Sequence, residues 1–246
     1  MSHYADRKDL FPMQGGCPCG HIRYQINLPP LLVQTCHCTL CQRQMGSAFA
    51  INAVIESSAV SLLPSAPLTT PLSKAEQSSS SPSSGSVCGV LPAFADLTNA
   101  ATTAIVTLPT DNNNAAHNAA NNHKINKPIL VALPTQSKVG QTVAQCPLCR
   151  GNLWSYYADA GTLVTYLIAS TLDRPWELEP DVHIFTRSRR EFVSLNDGKP
   201  QFKENYPDRA VFYRPDTKER VDALTELQGA WRKQIRAAYK AQFAKI

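Results

Sequence analysis

Charge is scarce in this chain. Asp, Glu, Lys and Arg make up 17% of its 246 residues, against about a quarter in an ordinary soluble domain. The deficit is local: between Glu76 and Lys124 the only formal charges are Asp96 and Asp111. Long hydrophobic runs are also missing. Nothing approaches the ~20 apolar residues that span a bilayer, so a helical membrane anchor is not expected. The stretch Met1-Ser2-His3-Tyr4-Ala5-Asp6-Arg7-Lys8-Asp9 lacks the apolar centre of a secretory signal. The expected compartment is the cytosol, with nucleus and peroxisome as alternatives; Ala244-Lys245-Ile246 loosely resembles a peroxisomal Ser-Lys-Leu tail. In a reducing compartment, grouped cysteines more often bind metal than form disulfides.

Cysteine itself is plentiful and grouped. Seven of the eight fall into three stretches: Cys17-Pro18-Cys19, Cys36-His37-Cys38-Thr39-Leu40-Cys41 and Cys146-Pro147-Leu148-Cys149. Only Cys88 stands alone, and it reads as a bystander. Short Cys-x-Cys and Cys-x-x-Cys turns let two sulfurs converge on one metal at about 2.3 Å. Two such pairs, distant in sequence, make a closed zinc site from Cys17, Cys19, Cys146 and Cys149. Cys36, Cys38 and Cys41 then supply three ligands of a second site and leave its fourth position open. Closed sites are structural, while catalytic ones keep a place for water or substrate. The expected cofactor is Zn2+, two per chain, one of each kind. Two other readings stay open here. An even cysteine count also fits disulfides, and both metals could be structural, with His37 or another residue as the missing ligand.

Gly16-Cys17-Pro18-Cys19-Gly20-His21-Ile22-Arg23-Tyr24, the run Cys36 to Phe49, and Cys146-Pro147-Leu148-Cys149 together resemble the glutathione-dependent formaldehyde-activating enzyme (GFA) and centromere protein V (CENP-V) family. Thr171-Leu172-Asp173-Arg174-Pro175 and Val182-His183-Ile184-Phe185-Thr186-Arg187-Ser188 fit the same pattern. The resemblance covers residues 12–56 and 140–200. It implies a mainly β, tent-like zinc-binding fold. It also implies carbon–sulfur lyase chemistry, the reversible joining of glutathione and formaldehyde as S-hydroxymethylglutathione. The partners it implies are glutathione or another small thiol, and an aldehyde. Another small-molecule substrate on the same fold is the nearest variant. The contrasting reading is a non-catalytic, zinc-stabilised binding protein that uses a basic C-terminal region. Arg150 departs from the pattern, which leads one to expect glycine after Cys149.

In chain order, Ile22, Tyr24 and Ile26 alternate with polar residues, as do Phe49, Ile51, Ala53 and Ile55. Both stretches predict half-buried strands, with the second cysteine group on the loop between them. Residues 57–138 read as a low-complexity, disordered insertion, with a serine tract over 78–86 and an asparagine–alanine tract over 112–122. The apolar islands 103–108 and 129–133 are candidate strands within or beside it. The zinc-binding domain is therefore discontinuous, 12–56 and 139–200. So long a closure is tolerable: doubling a loop costs only about 0.6 kcal/mol, while a structural zinc contributes on the order of 10–16 kcal/mol. Strands are expected again over 153–157, 163–168, 183–187 and 191–195.

Residues 201–246 form a C-terminal extension. Asp216 followed by Glu219 reads as a capping box, and Leu224, Leu227, Trp231, Ile235 and Tyr239 make one helical stripe. From Arg187 onward there are 14 Lys and Arg against 8 Asp and Glu, so the chain's basic character resides here. A solvated basic face is the expectation; nucleic acid is not an expected partner, and no oligomeric state follows. Two residues are catalytic candidates. His37 is either a proton shuttle or a prop beside the ligands. Arg43 either meets a substrate carboxylate with its planar fork or makes a surface ion pair. Asp173 and His183 occupy family motif positions.

Overall fold

The computed structural model describes residues 2–66, 125–135 and 140–243. Cys88, the serine and asparagine–alanine tracts, the 103–108 island and the C-terminal tripeptide lie outside the described residues. The protein is mainly β, with two sheets and a C-terminal helix. Strands β1 (Met13–Gly16), β2 (Arg23–Ile26) and β5 (Val60–Leu63) pair antiparallel in the order β1-β2-β5. The larger sheet runs β10 (Val182–Ile184), β3 (Leu32–Cys36), β4 (Ala50–Glu56), β9 (Val164–Ile168), β8 (Asn152–Tyr157), β7 (Gln141–Gln145), β6 (Ile129–Leu133). All its pairings are antiparallel except β10 on β3. No described helix is long and apolar enough to cross a membrane.

Strand alternation decides the layers, because successive side chains point to opposite faces. Val33, Ala53, Ile55 and Leu167 pack with Tyr24, Ile26 and Leu153 in the core between the sheets. Leu32, Val54, Val164 and Ile184 point to the opposite face, where Tyr206 and Leu224 of the extension join them. Each such buried side chain contributes roughly 1.5–3 kcal/mol. The cysteine groups follow the same division. Cys17 and Cys146 belong to the first core, Cys36 and Cys41 to the second.

The chain leaves the described fold at Ala66 and re-enters at Ile125, and these ends are adjacent. Pro64 and Ile125 form an antiparallel bridge, and Asn126 Nδ2 donates to Ser65 Oγ at 2.5 Å. Strands β5 and β6 both lie inside the expected insertion, so its described edges are built into the sheets. The 191–195 strand is not found. The free edge of β10 is taken instead by Pro200 and Phe202, through His183 N to Pro200 O and Phe202 N to His183 O, 2.9 Å each.

The C-terminal helix, here α2, spans Lys218–Phe243. Asp216 is not its cap. Pro215–Thr217 form a 3-10 turn leading into the helix, and Asp216 instead accepts from Arg214 Nε at 3.1 Å. The apolar stripe is half correct. Leu224 is buried, but Leu227 is 54% and Ile235 42% exposed. The face that meets the sheet passes through Leu224, Gln228 and Trp231, so a polar side chain holds the place that hydrophobicity alone gave to Leu227. Arg220 clamps the helix down with two bonds to Glu56, 2.6 and 2.7 Å, and one to the Pro29 carbonyl, 2.9 Å. Trp231 donates to Ala158 O at 3.1 Å. It lies so close to Gly161, whose φ is +56°, that a Cβ there would meet its ring at 2.5 Å.

Candidate metal centres and the adjoining cavity

Cys17 and Cys19 occupy the turn between β1 and β2; Cys146 and Cys149 occupy the turn between β7 and β8. Their four sulfurs lie within 4.8 Å of one another. Cys17 and Cys19 are 3.4 Å apart and Cys19 and Cys146 3.7 Å. Four sulfurs held 2.3 Å from a tetrahedral zinc stand about 3.8 Å apart, so this set fits the metal. The seven described cysteines are all free, which removes the disulfide reading for them. Backbone amides serve the sulfurs. Ile22 N donates to Cys17 Sγ at 3.3 Å. Burial works against ionising Cys149, yet the Gly151 and Cys19 amides bring its pKa below the ordinary value. Arg150 adopts φ +61°, the left-handed conformation that the family pattern assigns to glycine. The turn is therefore kept, at a strain of roughly 1–2 kcal/mol.

The second group is built differently from the expected loop. Strand β3 ends at Cys36, Cys38 caps helix α1 (Thr39–Met45), and Cys41 sits in its first turn. Cys38 Sγ accepts from Cys41 N at 3.4 Å. The three sulfurs lie within 4.8 Å of one another, and among the described residues no histidine or carboxylate joins them. They compete for protons. Hydrogen bonds from Cys36 and Cys41 hold the Cys38 thiol far below its usual range, and those to Cys36 and Cys38 push Cys41 up. Three soft donors that repel one another when ionised are a set that a thiophilic cation satisfies.

This group opens on a cavity of about 310 Å³. Gln34, Asn52, Tyr157, Tyr166, Phe185 and Arg209 are among the residues around it. Burial, then the nearby Cys41 and Cys36 sulfurs, push the Tyr157 phenol well up, so it remains a neutral donor. Phe185 is held at φ +57° on the cavity wall.

Neither catalytic candidate lines this cavity. His37 is fully buried, with Nε2 3.2 Å from His183 Nδ1, and His183 Nε2 lies 2.7 Å from Asp197. The reason is the two-residue period: Cys36 shares a face with Leu32, whereas His37 follows Val33 and Thr35 to the other side. Its backbone extends the ladder, N to Ile184 O at 3.0 Å. Arg43 is exposed beside Arg190 and Phe192 and makes no ion pair among the described residues. It comes two residues after Cys41 on α1, about 200° around the helix. Asp173 pairs with the buried Arg23 and ties β1 and β2 to the 171–175 turn, through its own amide to Gln14 O at 2.9 Å. Tyr157, Tyr166 and Arg209 were not singled out from sequence. Tyr166 is placed by pairing with Val54, a register no single strand reveals.

A family model described as glutathione-dependent formaldehyde-activating enzyme matches residues 12–124. The match takes in Cys17, Cys19, Cys36, Cys38 and Cys41. Over this span, a little under half of its length, the chain is similar to the GFA family. A comparison with curated proteins gives no match. The GFA match stops short of Cys146 and Cys149, and it is the fold that brings this pair to Cys17 and Cys19. It carries the glutathione and formaldehyde of the family description, but not the name centromere protein V.

Proposed function

We propose that this chain is a member of the GFA family and a zinc-dependent enzyme of the carbon–sulfur lyase type. Its substrates would be adducts of glutathione with an aldehyde, S-hydroxymethylglutathione or a related small molecule. The observation that supports this most is the difference between the two sulfur groups: four cysteines can fill a zinc's coordination, whereas the three that line a cavity leave one place. Cys17, Cys19, Cys146 and Cys149 would hold a structural zinc, and Cys36, Cys38 and Cys41 a catalytic one. Held by those three thiolates, a zinc would supply Lewis acidity that favours an incoming thiol in its ionised form.

In the cleavage direction the adduct's carbon–sulfur bond breaks and its electron pair stays on sulfur. The hydroxyl proton leaves oxygen as the carbonyl forms, and a proton returns to sulfur, giving thiol and aldehyde. Tyr157, kept protonated, can donate to the oxygen on which charge collects. Gln34 and Asn52 bring side-chain amides to the same cavity to orient the reactants. Free thiols and glutathione both suit a reducing compartment such as the cytosol.

The alternative, a binding protein working through the basic helix, has less support. Lys218 pairs with Asp222, Arg220 with Glu56, and Arg232 with the Asp159 carbonyl at 3.3 Å. The deciding assay follows adduct formation from glutathione and formaldehyde with zinc-loaded protein. Acceleration that Cys38→Ser abolishes is expected; a rate equal to that without protein would overturn the proposal.

A further inference from the structure

The extension beyond residue 200 lies outside the span matched by the GFA family, yet it walls the cavity beside Cys36, Cys38 and Cys41. Its contribution is Arg209. The Nη2 of Arg209 donates to Tyr166 OH at 2.9 Å and its Nε to Tyr206 OH at 3.1 Å. The guanidinium carbon stands 5.6 Å from the centre of the Tyr166 ring and 5.9 Å from that of Tyr206. Tyr206 in turn donates to Gln34 Oε1 at 2.7 Å, so the arginine is fixed to β3, the strand that carries Cys36.

What Arg209 lacks is an acid. Among the described residues no carboxylate lies within ion-pair distance of it, whereas Arg187 has Glu204, Arg214 has Asp6, each at 2.5 Å, and Arg220 has Glu56. Its remaining close partner is the Tyr213 hydroxyl, which is also neutral. Tyr206 and Tyr213 do not neutralise it, since burial pushes both phenols up, Tyr206 to about 12. A permanently charged guanidinium, half-buried and held by neutral partners, retains an unmet preference for an anion. Its planar fork matches a carboxylate with two parallel bonds. Arg209 also borders a second cavity of about 290 Å³, which shares Asp159, Tyr166, Asn205 and Tyr206 with the first; Asp159 lies on the walls of both but outside ion-pair distance of Arg209. A ligand longer than its reacting thiol group therefore has room to reach it.

We propose that Arg209 is the anion-recognising residue of this cavity, taking a carboxylate of the thiol ligand so that the site selects carboxylate-bearing thiol adducts over neutral or cationic ones. This rests on reading the cavity as the substrate site. It assigns to Arg209 the role expected of Arg43, which lies outside the cavity.

The test begins with binding to the unaltered, zinc-loaded chain, measured by calorimetry. The probes are S-methylglutathione, which keeps its carboxylates but has no free thiol, and the diester of the same compound. The acid should bind at least tenfold more tightly than the ester, the scale of one charged hydrogen-bonded pair. Arg209→Gln should remove most of that difference, and Arg209→Lys should restore part of it. In turnover, Arg209→Gln should raise KM for the glutathione–formaldehyde adduct at least tenfold more than for the N-acetylcysteamine–formaldehyde adduct, which has no carboxylate. Equal binding of acid and ester, no binding of either, or equal losses for both adducts would overturn the proposal. Should the Gln variant not fold, the acid–ester comparison and the Lys variant still decide. Arg209-dependent binding without turnover of any adduct would remove the lyase reading and leave the anion site. Turnover with an unchanged KM in Arg209→Gln would remove the anion site and leave the lyase.

Discussion

Cys19 and Cys146, 127 positions apart in the chain, hold their sulfurs 3.7 Å from each other. The contact joins the β1–β2 turn to the β7–β8 turn, and so fastens the smaller sheet to the larger one. A metal at this point carries folding free energy, because the unfolded chain has no such site. Cys146→Ser should therefore cost ~5 kcal/mol or more, a fall in melting temperature of about 10–20 °C. A strong chelator should do the same to the unaltered protein. Thermal unfolding followed by circular dichroism reads both.

Cys38 predicts the opposite pattern. Its sulfur caps α1, and serine is a good cap. Cys38→Ser should lower the melting temperature by less than half as much as Cys146→Ser while abolishing adduct turnover. Equal melting losses in the two variants would end the division of roles.

Arg220 and Glu56 fasten the extension to β4 by a bidentate pair whose side chains are 22% and 11% exposed. Breaking a pair so placed should cost about 1–3 kcal/mol. Arg220→Gln should lower the melting temperature by about 3–10 °C and speed amide exchange in α2. It should also weaken substrate binding, since the same extension carries Arg209. Hydrogen exchange by mass spectrometry reads the helix directly.

His37 is predicted to act on stability rather than on chemistry. Burial pushes its pKa down to about 4, so it is neutral in the folded protein while the unfolded chain protonates it near the ordinary 6.5. The unfolded state thus binds more protons between these values, and stability falls as pH drops from about 6.5 towards 4. His37→Gln should keep turnover within about tenfold of the unaltered rate. Its melting deficit should narrow as the pH is lowered through that window; a loss of turnover as complete as that of Cys38→Ser would restore the shuttle reading.

Much of this was legible in the residues. Cysteine spacing alone grouped four sulfurs and three, and the structure assembles the same two groups. Alternation at Ile22–Ile26 and Phe49–Ile55, and the aromatic run Leu153–Tyr157, pointed to strands that lie where expected, because both signals are local. What failed depended on non-local facts. His37 and Arg43 sit close to the ligands in sequence but not on their face, one by strand alternation and the other by helix rotation. The 191–195 strand is not found, and Pro200 and Phe202 take the free edge of β10 instead. Leu227 yielded the inner face of α2 to Gln228, where the packing surface is polar. Arg209 carried no local signal at all; its meaning comes from the tyrosines around it and the acid that is not beside it.

Two metals are held, on this account, by separate cysteine groups, one with four sulfurs and one with three that faces the substrate cavity. Elemental analysis of the purified chain and of Cys38→Ser tests it most directly. Two zinc per chain in the former and one in the latter, with the fold retained, is the predicted result. A single zinc in the unaltered chain, or none, would contradict the account.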